Sequence, residues 1–468
     1  MIAENATPSL PRRDAYLYAS GSFAGNLATR VIAAWLFYFY VAEGGDADVS
    51  RRIPVWVVGV ILTITSVIEA FDDPLIGYWS DRTRSRWGRR IPFVLLATPP
   101  WALCFLLLWT PPHTGESAAN ALYLFAFLLL YHTFGTLSGG PFEALLPEIA
   151  PRNQDRVRIV TVQVLFGTIA AAVALVGTGF MIDAWGFRLM AGIVAVLSLT
   201  SRYLALAGAW RHARRDVEPA RPGVFRAFRS TLRNDQFLYF LPSFILFNTG
   251  ITLFTAALPF FVEAVLQPPS DRVGTYTAVL TAAPIVVVLL SLPVVQRLAI
   301  KRGKAWVYSR AMLMGALYLP WIFFLGLIPG VPGLLQAILF AAPIGLSMTG
   351  VFVFPNALMA DIIDYDALRT KMRREAMYYG AQNVLEKIVV ALHAAILAGL
   401  LALGSSPDNP IGLRLVGPVA GAGIFIGYLV FRGYRLPDSV SGADVRPLSA
   451  DPRSSDTPPA GSSSQSPR

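Results

Sequence analysis

Cysteine is almost missing from this sequence: Cys104 is the only one in 468 residues. That excludes a disulfide framework and a cysteine-based zinc site, and Cys104, set in an apolar run, reads as a buried structural thiol. Histidine is scarce too, with four in all. There is no H-x-x-x-H, no G-x-S-x-G and no acid–histidine pair, so an intramembrane enzyme would have no nucleophile with an adjacent base. Charged residues make up only 15% of the chain, against about 25% in soluble domains. No cleavable signal peptide is evident, because the N-terminus is polar and the first apolar segment is long. A membrane sensor would need an appended soluble domain, and the tail from Pro437 onward, rich in Ser, Pro and Asp, is too short to be one.

What the chain does have is apolar length. Hydrophobic residues are 54% of the total and mean hydropathy is +0.53, the profile of an all-α polytopic membrane protein. A helix needs around 20 apolar residues to cross about 30 Å of hydrocarbon. Twelve such runs can be placed, at 17–42, 53–79, 91–110, 119–140, 157–182, 187–210, 238–265, 273–296, 304–327, 333–360, 375–404 and 411–432. They divide into an N-terminal six-helix bundle (1–210), a middle loop (211–237), a C-terminal six-helix bundle (238–436) and a disordered tail (437–468). The net charge of +10 sits in alternate connections, among them Arg82 to Arg90, Arg152 to Arg158, Arg211 to Arg233, Arg297 to Lys304 and Arg369 to Arg374. By the positive-inside rule both termini are cytoplasmic, and the basic charge marks topology rather than nucleic-acid binding. Asp81-Arg82 precedes Gly88-Arg89 by the same seven residues that separate Gln296-Arg297 from Gly303-Lys304, a weak internal repeat of the kind that accompanies alternating access.

The second run is unusual. Glu69, Asp72 and Asp73 interrupt it, and each carboxylate facing lipid would cost roughly 2.5–3.5 kcal/mol. At 100° per residue, Thr65, Ser66, Glu69, Asp72 and Asp73 share about a third of the circumference. Pro74 leaves the carbonyl of Ala70 without its helical donor. Carboxylates, hydroxyls and a freed carbonyl on one stripe fit a hard monovalent cation or a shuttled proton; a structural ion pair with a neighbouring helix is the alternative. The following loop places Gly88 where a turn is needed and Asp81, Arg82, Arg89 and Arg90 where they can latch one conformational state.

The pattern from Gly77 through Asp81-Arg82 to Gly88-Arg89-Arg90 resembles the hallmark loop of the major facilitator superfamily. More narrowly, Asp73-Pro74-Leu75-Ile76-Gly77 with Arg84-Ser85-Arg86-Trp87-Gly88-Arg89 is similar to the glycoside–pentoside–hexuronide:cation symporters, the melibiose-carrier group. A second stretch agrees: Ala360-Asp361-Ile362-Ile363-Asp364-Tyr365-Asp366, with Arg369-Thr370 and Arg373-Arg374-Glu375 after it. The resemblance implies two pseudo-symmetric six-helix bundles, a monomer in the lipid bilayer and no cofactor. Uptake of a small organic solute would be coupled to Na⁺, H⁺ or Li⁺. It places the coupling acids on Glu69 and Asp73 and a hydroxyl ligand near Thr136, and makes Asp361 and Asp364 the second-half latch. The polar sugar anchors of the group fall on other residue types here, on Asn26, Gly139, Glu143 and Val164. A related branch, the sodium-dependent lysophosphatidylcholine symporters, therefore supplies an alternative, an amphiphile as the solute.

Lys387 lies about 18 Å into its helix. A lysine at that depth should face acids, with Glu69 and Asp73 the natural partners that release it when a cation binds. The adjacent Glu386 points elsewhere. Gln382 shares the helix. Asn26 and Arg30, four apart on the first helix, can both face a cavity, although Arg30 can instead snorkel. Glu143, beside Pro141, reads as the end of the fourth helix, lining the cavity or capping a break. Asn248 and Thr249 are substrate ligands or interhelical hydrogen bonders. His132 and His393 read as isolated core histidines, and Arg202 and Arg310 as snorkelling from helix ends.

Overall fold

The computed structural model describes residues 10–42, 51–83, 85–150, 153–212, 234–370 and 375–436. The tail from 437 and most of the middle loop lie outside the described residues, as do the side chains of Asp73, Asp81 and Glu386. The described residues form helices, the one arrangement besides a closed barrel that satisfies every backbone N–H and C=O inside a bilayer. In chain order they are α1 (12–41), α2 (Val55–Arg82), α3 (Ile91–Leu107), α4 (Ala118–Ile149), α5 (153–185), α6 (187–209), α7 (Asp235–Leu266), α8 (Val273–Arg302), α9 (Lys304–Phe324), α10 (Gly333–Thr370), α11 (Glu375–Leu403) and α12 (Ile411–Phe431). Gly186, at φ 75° and ψ 170°, breaks one long run into α5 and α6.

Seven described stretches are long and apolar enough to cross a membrane by length and composition. Several helices outrun their apolar core: α4 continues to Ile149 and α10 to Thr370. Hydropathy marks where hydrocarbon ends, whereas backbone hydrogen bonding continues until a breaker arrives. Glu143 is consequently not a helix end. The 32 residues of α4 reach about 48 Å at 1.5 Å each.

The repeat expected from sequence reappears in detail. Gly88 and Gly303 both take positive φ, 97° and 94°, at the turn out of α2 and of α8. The basic residues just after each turn then reach back to an acid inside their own half. Arg89 holds Glu148 on α4 through Nε at 3.0 Å and Nη2 at 2.8 Å, and Arg90 adds a contact at 3.1 Å. In the other half, Lys304 holds Asp361 on α10 at 2.6 Å. These ties define the basic end of the molecule.

The opposite end is closed by contacts between the bundles. Gly179 on α5 and Gly274 on α8 cross so closely that a Cβ on Gly179 would stand 2.4 Å from the Gly274 carbonyl oxygen. Asp183 accepts hydrogen bonds from the N–H of Gly274, at 2.8 Å, and of Thr275, capping the start of α8 from the other bundle. Phe260 on α7 packs against Tyr38 on α1 with ring centroids 5.2 Å apart. Gly59 on α2 fits under Ala398 on α11, where an added Cβ would lie 2.5 Å from the Ala398 Cβ.

Candidate functional site

Between the bundles lies a cavity of about 490 Å³, lined from both halves and within the usual range of ligand pockets. Its polar lining includes Arg30 of α1, Asn248 and Thr252 of α7, Thr281 of α8, Asn356 of α10 and Gln382 of α11. Ala33 and Ala34, from the π-helical turn Ile32–Leu36, and Leu175, from the turn Val173–Gly177, complete the wall on the N-terminal side. Such turns widen a helix locally and recur at functional sites. Of the substrate-side residues expected from sequence, Arg30, Asn248 and Gln382 meet here.

Asn26 and Glu143 do not line this cavity. The Asn26 amide donates to the Ser22 carbonyl of its own helix at 2.9 Å, and it abuts Gly167 on α5, where a Cβ would meet it at 3.2 Å. Glu143 is exposed further along α4. Thr249 is buried, unlike its cavity-lining neighbour Asn248.

The acidic stripe of α2 faces two helices at once. Glu69 meets Lys387 of α11, whose Nζ lies 3.5 Å from Oε1 and donates to the Glu69 backbone carbonyl at 2.9 Å. Its other oxygen, Oε2, is 2.9 Å from His132 Nδ1 on α4. His132 is therefore not the isolated core histidine expected from sequence; α2 and α4 pack side by side and bring the two together. His393 does turn inward, with Nδ1 on the Val389 carbonyl at 3.1 Å. Asp72 accepts from the Thr133 hydroxyl at 3.3 Å. Thr136 is buried on the same helix. The Thr65 hydroxyl donates to the Ile61 carbonyl one turn back, at 2.9 Å, and keeps its oxygen lone pairs as acceptors.

The chemistry available is an exchange. Glu69 and Lys387 are partly buried, with side-chain exposures of 22% and 15%, so neither can give up a charged partner without another arriving. The carboxylate oxygens of Glu69 and Asp72 are hard donors suited to an alkali cation or a proton. His132, Thr136, Gly139 and Glu143 recur along one stripe of α4, within about 60° of one another. That stripe runs from the Glu69 cluster to the exposed Glu143.

The latch residues also separate. Gly88, Arg89, Arg90 and Asp361 belong to the within-bundle ties, and Arg82 and Asp364 are exposed at the basic end. Arg310 is exposed over the Trp306 ring at 5.4 Å, as a snorkelling residue would be. Arg202 is not: it is buried at 6% exposure, its guanidinium 4.4 Å from the ring centre of Phe142 and 5.9 Å from that of Trp101. The rings of α3 and α4 enclose it before it can reach an interface. Sequence reasoning missed Asp183 altogether, since its partners lie in another bundle 91 and 92 residues away.

Comparison with known proteins agrees with this architecture. The chain is 22% identical to an uncharacterized symporter of Synechocystis sp., over 85% of this chain and 87% of that one. It is 23% identical to the glucuronide carrier protein homolog of Escherichia coli, over 84% of each, and 24% identical to a putative sulfoquinovose importer of Salmonella typhimurium, over 84% and 81%. The crystal structure of the nucleoside transporter NupG superposes with a TM-score of 0.62 at 12% identity, covering 89% of this chain and 98% of that one. Residues 17–408 match the family described as MFS/sugar transport protein, and the chain belongs to that family of integral membrane transporters.

Proposed function

We propose that the chain is a cation-coupled symporter for a sugar or glycoside in which Glu69 is the coupling group. The observation that carries this reading is the contact of Lys387 with Glu69 across the two bundles, on the helix whose Gln382, Val389 and Val390 line a cavity of solute size. In the present conformation Lys387 and His132 occupy the carboxylate. A Na⁺ ion or proton arriving at Glu69, with Asp72 and Asp73 as further ligands and Thr136 nearby, competes with Lys387 and frees its ammonium. Released, Lys387 can reach toward the cavity and hydrogen-bond a solute, so solute affinity rises only when the cation is present. The far-end seal and the basic end then alternate in closing, with residues 1–210 and 238–436 moving as two bodies and both termini on the cytoplasmic side.

The sugar reading has support from the relatives, named for glucuronide, sulfoquinovose, raffinose and isoprimeverose. The amphiphile alternative draws nothing from those names. Its sequence motive was the loss of the usual sugar anchors, and the hydroxyls and amides of Thr252, Thr281, Asn248, Asn356 and Gln382 supply other hydrogen-bonding groups.

The test is uptake into proteoliposomes under imposed Na⁺ or pH gradients against a panel of sugars and lysolipids. Glu69→Gln and Asp73→Asn should each fold normally, retain solute exchange and lose cation stimulation. Full cation-dependent uptake in both variants would falsify the assignment of the coupling site.

A further inference from the structure

We propose that Arg302, Trp306 and Arg310 form a binding site for the phosphate of an anionic phospholipid, in the leaflet that meets the basic end of the molecule. The inference concerns the lipid-facing surface and does not depend on which solute or cation is carried. Arg302 is the last residue of α8, and Trp306 and Arg310 lie one turn apart on α9, just past the turn at Gly303. All three side chains are exposed. The Arg302 guanidinium carbon stands 5.5 Å from the centre of the Trp306 ring, and that of Arg310 stands 5.4 Å from it. Neither arginine forms an ion pair or a hydrogen bond with a described residue. Lys304, between them in sequence, is tied to Asp361 instead.

The site sits where hydrocarbon gives way to headgroups. α9 is long and apolar enough to cross a membrane, and beyond Arg310 its exposed side carries Met314 and Leu317. On α8, exposed Leu290 and Val294 are followed at helical spacing by exposed Arg297 and Lys301. Both faces therefore turn from apolar to cationic near Trp306, and an exposed tryptophan belongs at that level. Arg310 starts one turn, about 6 Å, on the apolar side of the ring. Its guanidinium nevertheless reaches back to the indole, as a side chain does when it snorkels to the headgroup layer.

Two guanidinium groups gathered at one ring repel each other, and the ring offsets only part of that. A phosphate between them removes the repulsion. The planar fork of each arginine suits phosphate oxygens, the indole N–H adds a donor, and Arg297 and Lys301 raise the positive potential around the site. The chain's own middle loop offers no such anion, since residues 211–237 hold seven arginines against three acids. A lipid fits better than a soluble anion because its acyl chains can lie along the apolar faces of α8 and α9. Bound there, the phosphate joins the two helices across the turn whose Lys304 holds Asp361.

The test is native mass spectrometry of the full chain in detergent, titrated with phosphatidylglycerol and with phosphatidylcholine of the same acyl chains. The wild type should bind the anionic lipid more tightly. Arg302→Gln and Arg310→Gln should each lower phosphatidylglycerol affinity about fivefold, and the double variant about 25-fold, with phosphatidylcholine unchanged. Arg13→Gln removes an equal charge from the exposed start of α1 and should leave both affinities as they were. Equal affinity for the two lipids in the wild type overturns the proposal. An equal loss in Arg13→Gln and Arg302→Gln also overturns it, marking a diffuse basic surface rather than a site. Displacement of phosphatidylglycerol by an equal concentration of inorganic phosphate would identify a soluble-anion site and overturn the lipid assignment. The symport reading stands or falls separately from all of these outcomes.

Discussion

Asp183 is the clearest place to test how the far end stays shut. Its carboxylate accepts from two backbone N–H groups at the first turn of α8, so it caps a helix that belongs to the other bundle. Removing a capping side chain costs about 0.5–2 kcal/mol, and the charge–dipole part of such an interaction is about 0.3–1 kcal/mol. Because the cap exists only while the bundles touch here, nearly all of that loss falls on the closed state. Asp183→Ala should therefore shift the closed–open ratio by about 2- to 30-fold. Asp183→Asn keeps one acceptor oxygen and should shift it by about 2- to 5-fold, at RT of about 0.59 kcal/mol. A cysteine placed at cavity-lining Thr255 reads this directly, since Cys104 is the only native thiol and is buried. Its labelling by a membrane-impermeant maleimide from the far side should accelerate in the order wild type, Asn, Ala. Identical labelling rates in all three, with the variants monodisperse, would refute the claim that this cap holds the seal.

Two further outcomes follow from the same contacts. Glu148→Gln leaves Arg89 and Arg90 without their buried carboxylate and should destabilise the N-terminal half by about 3–5 kcal/mol. Lys304→Met, at a more exposed tie, should lower the melting temperature less; a larger drop for Lys304→Met in a thermal melt would contradict the burial argument. Lys387→Ala removes the competitor for Glu69, so the Na⁺ or H⁺ concentration giving half-maximal binding should fall, by roughly tenfold or about 1.4 kcal/mol. An unchanged or higher requirement in a binding titration would show that Lys387 does not oppose the cation.

Much of this architecture could be read from residue order. The helix layout was legible because hydrocarbon imposes length on apolar runs, and the Lys387–Glu69 contact because a lysine at that depth has few tolerable neighbours. The turns of glycine followed by a basic residue, Gly88-Arg89 and Gly303-Lys304, announced themselves in both halves. What could not be read was lateral: which face of α4 turns toward α2, and so whether His132 or a lipid chain stands beside Glu69. Arg202 was misjudged for the same reason. Its distance from the helix end allowed snorkelling, and only the packing of Phe142 and Trp101 closes that route. Asp183 drew no reading at all, because its partners at the start of α8 lie 91 and 92 residues away in the other bundle. Helix ends ran past their apolar cores because polar residues do not stop a helix that has already formed.

The twin ties at the basic end carry a consequence for how defects should sort. Each is fastened inside its own half, so damage to one loosens a bundle without touching the seam where the halves meet. Damage to the glycine crossing or the Asp183 cap does the reverse, leaving both bundles sound and changing only which compartment the vestibule greets. Heat should expose the first kind of variant, and sidedness of access the second, so an inherited lesion anywhere along the chain could be assigned to body or hinge by those two measurements alone.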